Sequence, residues 1–226
     1  NVPDYGIEEV SNHIMLLILS CSKKMNLLER TVHAGKWDYS VIKPVFAIRN
    51  KVLGLMGCGN IARGVVKKAQ AFGMKVIGYD PFLPQNVFDE FGIERVENLD
   101  DLLAQADFVN IQLHHSAATD KIVNADFLHK MKPTAYLINT ARGGLVDEAA
   151  LADAVRDGTI AGAGLDVLSS ETIPADYPLL QFDNVIVTPH AAWYTEESMY
   201  TLLTSAAAEV CRVLHGEPLK HQVNKF

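Results

Sequence analysis

Three side chains in the C-terminal half are suited to moving a proton and holding an anion. His190 stands in VTPHAAW, Glu171 follows AGAGLDV, and Arg142 stands in LINTARGG. An imidazole next to a carboxylate takes up or releases a hydroxyl proton near neutral pH, and a guanidinium grips a carboxylate through two parallel hydrogen bonds. Together they make a set for carbonyl reduction, with the hydride carried by a nicotinamide. Singly, each has a plainer role: Arg142 as a surface charge in a glycine loop, Glu171 as a solvated acid, His190 as a capping or packing residue. The joint reading requires a fold that brings all three to one rim.

A cofactor site is written earlier in the chain. Gly57-Cys58-Gly59-Asn60-Ile61-Ala62 is a GxGxxA turn directly after the apolar run VLGLM. In such a turn the first glycine allows a tight bend and the second lets the backbone approach a pyrophosphate. The small third residue lets helix and strand pack closely, and the helix N-terminus faces the phosphates. The next apolar run, KVIGYD, ends in Asp80. A carboxylate there accepts from both adenosine ribose hydroxyls and repels a 2′-phosphate, which favours NAD over NADP. The alternative for Asp80 is a solvated turn residue before Pro81. Cys58 reads as a small hydrophobe rather than a redox sensor.

The elements that would position these groups follow from periodicity. Strand candidates are 51–56, 75–79, 107–113, 135–139, 160–167 and 184–188, with a shorter one at 94–96. Between them lie helical spacings such as Ile61, Val65, Ala69 and Phe72, stopped by Gly73. Strand–helix alternation with unbroken apolar strands predicts an α/β fold, a doubly wound parallel sheet of the NAD(P)-binding Rossmann type. Ligands of such a sheet sit beyond the carboxyl ends of its strands, where Arg142, Glu171 and His190 all fall. Residues 6–34 read as one long helix with Val10, Ile14, Leu17, Cys21, Leu27 and Leu28 inward, and 195–215 as another. The division expected is 1–42 as a helical arm, 43–189 as the dinucleotide-binding domain and 190–226 as a second arm.

The 226 residues carry 20 Lys and Arg against 27 Asp and Glu, a net charge of −7 that argues against nucleic-acid binding. The apolar run Ile14–Leu19 is too short for a bilayer, which needs about 20 residues. Three widely spaced cysteines without a CxxC give neither a disulfide framework nor a zinc ribbon, and fit a reducing, cytoplasmic setting. His114 and His115 as neighbours are poorly placed to share a metal ion, and no metal site is expected.

The motifs NVPDYGIEEV, GLMGCGNIA, YDP, LINTARGGLVDE, AGAGLDV followed by Glu171, and VTPHAAW occur in order along the whole chain. In this the sequence resembles the D-isomer-specific 2-hydroxyacid dehydrogenases. The resemblance implies cofactor contacts at Gly57, Gly59, Asn60, Ile61, Asp80, Leu113, His114, Thr140, Ala141, Arg142, Asp166, His190 and Ala192. It implies Arg142, Glu171 and His190 as the catalytic set, with His190 the acid–base group, Glu171 its partner and Arg142 the anchor of the substrate carboxylate. HAAWYTEES, YDPFL and the terminal QVNK are more specifically similar to the C-terminal binding protein branch, which would place Trp193 in the substrate pocket; otherwise it packs against the returning helix. The family usually has Pro where this chain has His114, and His where it has Gln112.

Family members carry a further segment before NVP that completes a substrate-binding lobe. The chain is therefore expected to be a fragment whose first and last helices cross to that lobe. Those helices should expose Ile14, Leu17, Leu202 and Leu203. The activity implied is hydride transfer between NAD(H) and a 2-keto or D-2-hydroxy acid, in a homodimer. The alternative is an NAD-sensing, corepressor-like dimeric scaffold with weak dehydrogenase activity.

Overall fold

A computed structural model of the chain describes residues 2–223, so Asn1 of the opening motif and Asn224 and Lys225 of QVNK lie outside the described residues. The strands are β1 (Val52–Met56), β2 (Lys75–Tyr79), β3 (Glu94–Arg95), β4 (Phe108–Ile111), β5 (Tyr136–Asn139), β6 (Gly162–Leu165) and β7 (Val185–Val187). All pair in parallel in the order β3-β2-β1-β4-β5-β6-β7. The helices are α1 (Ile7–Lys23), α2 (Met25–His33), α3 (Asn60–Ala71), α4 (Gln85–Phe91), α5 (Leu99–Gln105), α6 (Ala125–Lys130), α7 (Glu148–Arg156) and α8 (Glu196–Leu214). The strand order turns back between β1 and β4, which opens the crevice where ligands of doubly wound sheets bind.

Strand side chains alternate between two apolar layers, as a pleat of period two requires. Val109, Ile111 and Leu137 pack with Leu102, Leu128 and Leu151 of α5, α6 and α7. Leu53, Leu55 and Ile138 pack on the other face with Ile14, Leu17 and Ile18 of α1 and Val65 and Val66 of α3. This corrects the expectation that Ile14 and Leu17 face outward: they are 0% and 1% exposed. Burying an aliphatic side chain of this size contributes roughly 1.5–3 kcal/mol, so α1 is a full layer of the sheet's core. Residues 1–42 therefore do not pack as one arm. Leu203 of α8, by contrast, is exposed, and Leu202 is partly covered.

The single helix expected over 6–34 is two. Lys24 takes a left-handed conformation (φ 52°, ψ 47°), and its N–H turns back to the Ser20 and Cys21 carbonyls. The bend redirects the chain, so that the Asn26 amide donates to the Val185 carbonyl (3.1 Å) and Arg30 pairs with Asp183. Leu27 and Leu28 are only partly buried, and α2 contributes nothing to the core. Among the described residues no helix is long and apolar enough to cross a membrane.

Candidate active site

The glycine loop joins β1 to α3 as the spacing requires. Gly57 has φ +90°, and a Cβ there would lie 2.6 Å from the Gln112 carbonyl oxygen, so only glycine fits. Gly59 differs: it caps α3 in extended backbone, and a Cβ there would meet nothing within 4 Å. Open space in front of the first N–H groups of a helix suits an anion. Asn60 and Ile61 open the first turn of α3, and Ala62 is fully buried. Asp80, just past β2, accepts from the Cys58 N–H (3.0 Å) and the Phe82 N–H (3.0 Å), which fixes its carboxylate beside the loop. Cys58 is buried; desolvation, aided by Asp80, pushes its thiol up to about 12, as befits an inert packing residue.

Beyond β4, Gln112 donates to the Thr140 hydroxyl (2.9 Å), bridging two strand ends. Leu113 lies against Gly57, and His114 is exposed. Asn139 shapes the loop after β5: its oxygen accepts from the Ala141 N–H (3.0 Å) and its amide donates to the Arg142 carbonyl (2.9 Å). The exposed Arg142 side chain turns back to the Ala141 carbonyl (2.6 Å).

Arg142, Glu171 and His190 come together on one cavity. His190 Nδ1 is 2.9 Å from Glu171 Oε1. Both line a cavity of about 460 Å³ together with Arg142, Asp166 and Thr188. His190 has φ +53°, an uncommon conformation for a side-chain-bearing residue. Asp166 enforces it. Asp166 is 1% exposed, its carbonyl accepts from the His190 N–H (2.9 Å), and its carboxylate accepts from the Ala191 (3.0 Å) and Ala192 (2.8 Å) N–H groups.

The family whose sequence model is described as D-isomer specific 2-hydroxyacid dehydrogenase, NAD binding domain, matches residues 15–192. The chain belongs to that family. Its cofactor is therefore NAD, as the glycine loop suggested. The D-3-phosphoglycerate dehydrogenase of Methanocaldococcus jannaschii is 38% identical over 224 residues, which are 99% of this chain and 42% of that protein. The chain spans about two fifths of the length of the curated relatives it matches. The NAD-complexed D-isomer specific 2-hydroxyacid dehydrogenase of Lactobacillus delbrueckii ssp. bulgaricus superposes with TM-score 0.88 at 32% identity, covering 99% of this chain and 71% of that one. The D-mandelate dehydrogenase of Rhodotorula graminis does so with TM-score 0.93 at 27% identity, covering 100% and 68%.

Within this 2-hydroxyacid dehydrogenase domain, some expected residues stand apart from the cavity. Trp193 is not among its lining residues; its ring meets Tyr5 (6.0 Å) and Tyr194 (5.6 Å) edge-on. The Ala192 N–H is committed to Asp166. His115 Nε2 bonds Asp120 (2.8 Å), and no metal-binding cluster is found among the described residues.

Two residues that sequence reasoning passed over support the site. Glu148, at the start of α7, accepts from the Ser169 N–H and hydroxyl (2.7 Å each) and from the Tyr177 hydroxyl, bracketing the loop that carries Glu171. Burial and Glu148 push the Tyr177 hydroxyl up to about 12, so it remains the donor. The other is His13 of α1. Its signal was a polar side chain beside the apolar stripe Val10, Ile14 and Leu17, where helical spacing puts it near the core.

Proposed function

We propose that this domain serves the interconversion of a 2-keto acid and a D-2-hydroxy acid. The observation that carries the reading is the His190–Glu171 pair at 2.9 Å on a cavity shared with Arg142. Bound NAD(H) supplies or accepts the hydride. His190 gives a proton to the carbonyl oxygen as reduction proceeds and takes it back from the hydroxyl in the reverse direction. Glu171 orients the imidazole through Nδ1, leaving Nε2 for the substrate, and offsets the charge of the imidazolium. Arg142 swings from the Ala141 carbonyl to bind the substrate carboxylate in a forked pair.

Gly57, Gly59, Asn60 and Ile61 would hold the pyrophosphate and Asp80 the adenosine ribose. Leu113, His114, Thr140, Ala141, Asp166 and Ala192 would border the nicotinamide side. Trp193 reads as the aromatic that docks the turn onto the start of α1, which is neither the substrate pocket nor the returning helix expected for it.

A second copy of the chain is the partner we favour. Trp37, Tyr39 and Phe46, between α2 and β1, are 94%, 72% and 63% exposed, a concentration of bare aromatics that supports association. A reducing, cytoplasmic setting agrees with two buried free thiols, Cys21 and Cys58.

The deciding experiment is a fluorescence titration with NADH and NADPH, followed by a survey of 2-keto acids. Binding of NADH well ahead of NADPH, with reduction of at least one keto acid, is expected. NADH-driven dimerisation with only very slow reduction would favour the scaffold reading, and failure to bind either nucleotide would sink both.

A further inference from the structure

His13 of α1 is titratable, half hidden, and within reach of the turn that carries His190. The His13 side chain is 14% exposed, and its Nε2 lies 2.9 Å from the Thr188 hydroxyl oxygen and 3.5 Å from Asp166 Oδ1. Thr188 Oγ1 is itself 2.5 Å from Asp166 Oδ1. A carboxylate only accepts, and a hydroxyl has one proton to give. The Thr188 proton therefore goes to Asp166, and the Thr188 oxygen is left to accept from His13. That order requires the proton of His13 on Nε2. Desolvation holds the His13 imidazole below its ordinary range against the pull of Asp166, so at neutral pH it contributes an N–H rather than a charge.

The next links lead to the reacting group. Asp166 receives the N–H groups of Ala191 and Ala192 on its carboxylate and that of His190 on its carbonyl, and His190 is held at φ +53°. We propose that His13 is a positioning residue for His190: through the Thr188 hydroxyl it orients the Asp166 carboxylate, which holds residues 190–192 so that the imidazole of His190 faces Glu171. The relay makes α1, remote in sequence, part of the machinery at the carboxyl end of β7. It rests on the reading of His190 as the acid–base group.

The test uses the 226-residue chain with ¹⁵N-labelled histidine, free of substrate, so that it does not depend on turnover. The wild-type spectrum is expected to show His13 protonated on Nε2. His13→Leu should displace the His190 ring resonances, and Thr188→Val, which trades a hydroxyl for a methyl of the same shape, should displace them in the same sense. His13→Gln, whose amide can still donate to Thr188, should return them towards wild type. Where a keto acid is turned over, kcat should fall about 10-fold in His13→Leu, with the KM for NADH close to wild type, and recover in His13→Gln. Should His13→Leu fail to fold, Thr188→Val carries the test. His13 protonated on Nδ1, or His190 resonances unmoved by Thr188→Val, would overturn the relay. Displaced resonances in a chain that reduces no keto acid would uphold it and remove the dehydrogenase reading instead.

Discussion

The turn after β1 and the turn after β7 both stand at carboxyl ends of parallel strands, yet they are made of different things. Around Gly57 and Gly59 the site is backbone: a φ of +90°, a helix end, and free space where a side chain would be. Asp80, its one charged member, bonds a residue 22 positions away. Around His190 the site is side chains, and what fixes them is buried and distant. The bond from His13 to Thr188 spans 175 positions. A phosphate cradle needs room and aligned N–H groups, which a short motif can encode. A proton-transfer site needs an imidazole at one angle, and that calls for a buried polar network with every member satisfied.

This contrast can be broken or sharpened by substitution. The largest effect belongs to His190→Ala, which should lower keto-acid turnover by about 10²–10⁴-fold while fluorescence titration shows NADH affinity unchanged. A parallel loss of affinity would mean that the two turns do not act separately. Asp166→Ala comes next: it strands the buried Ala192 N–H, removes the acceptor of the Ala191 N–H and the Thr188 hydroxyl, and should cost about 3 kcal/mol in urea denaturation, with turnover lost as well.

The two glycines should then part company. Gly57→Ala forces a left-handed alanine against the Gln112 carbonyl and should destabilise the fold by about 2 kcal/mol. Gly59→Ala should leave stability within about 0.5 kcal/mol and weaken NADH binding, because its Cβ points into the space a phosphate would take. Equal stability losses in both variants would erase the distinction.

The smallest effect is one of pH. Because the folded state holds His13 below its ordinary range, the unfolded chain takes up the proton first as pH falls. Stability from the neutral imidazole is thus complete above the unfolded value of 6.5 and declines as pH drops below it. For a single proton the slope cannot exceed about 1.4 kcal/mol per pH unit. Urea midpoints measured between pH 7 and 5 should fall more steeply for wild type than for His13→Gln. Parallel curves would remove the burial of His13 as a source of pH dependence.

Much of this protein is legible in its residues, and what is not has a common cause. The span 75–79 is β2 to the residue, and the helix expected over 195–215 is α8 with Thr195 as its cap. These succeed because a β-branched run or a capping threonine acts within its own neighbourhood. The helix expected over 6–34 fails at Lys24, where apolar spacing continues but the chain bends to bond β7. Ile14 and Leu17 were rightly inward-facing on their helix, yet periodicity identifies an apolar face without naming what covers it; the sheet does. Trp193 is an aromatic at a strand end by sequence and a packing partner of Tyr5 by contact.

By itself the sequence determined the parallel α/β order, the glycine turn with its acid, and the identities of Arg142, Glu171 and His190, since these depend on residue type and short spacing. Only the tertiary structure decided that α1 is a core layer, that Asp166 binds the backbone of the His190 turn, and that His13 completes the network. Those outcomes depend on which distant surfaces exclude water together, and no local pattern in the chain carries that information.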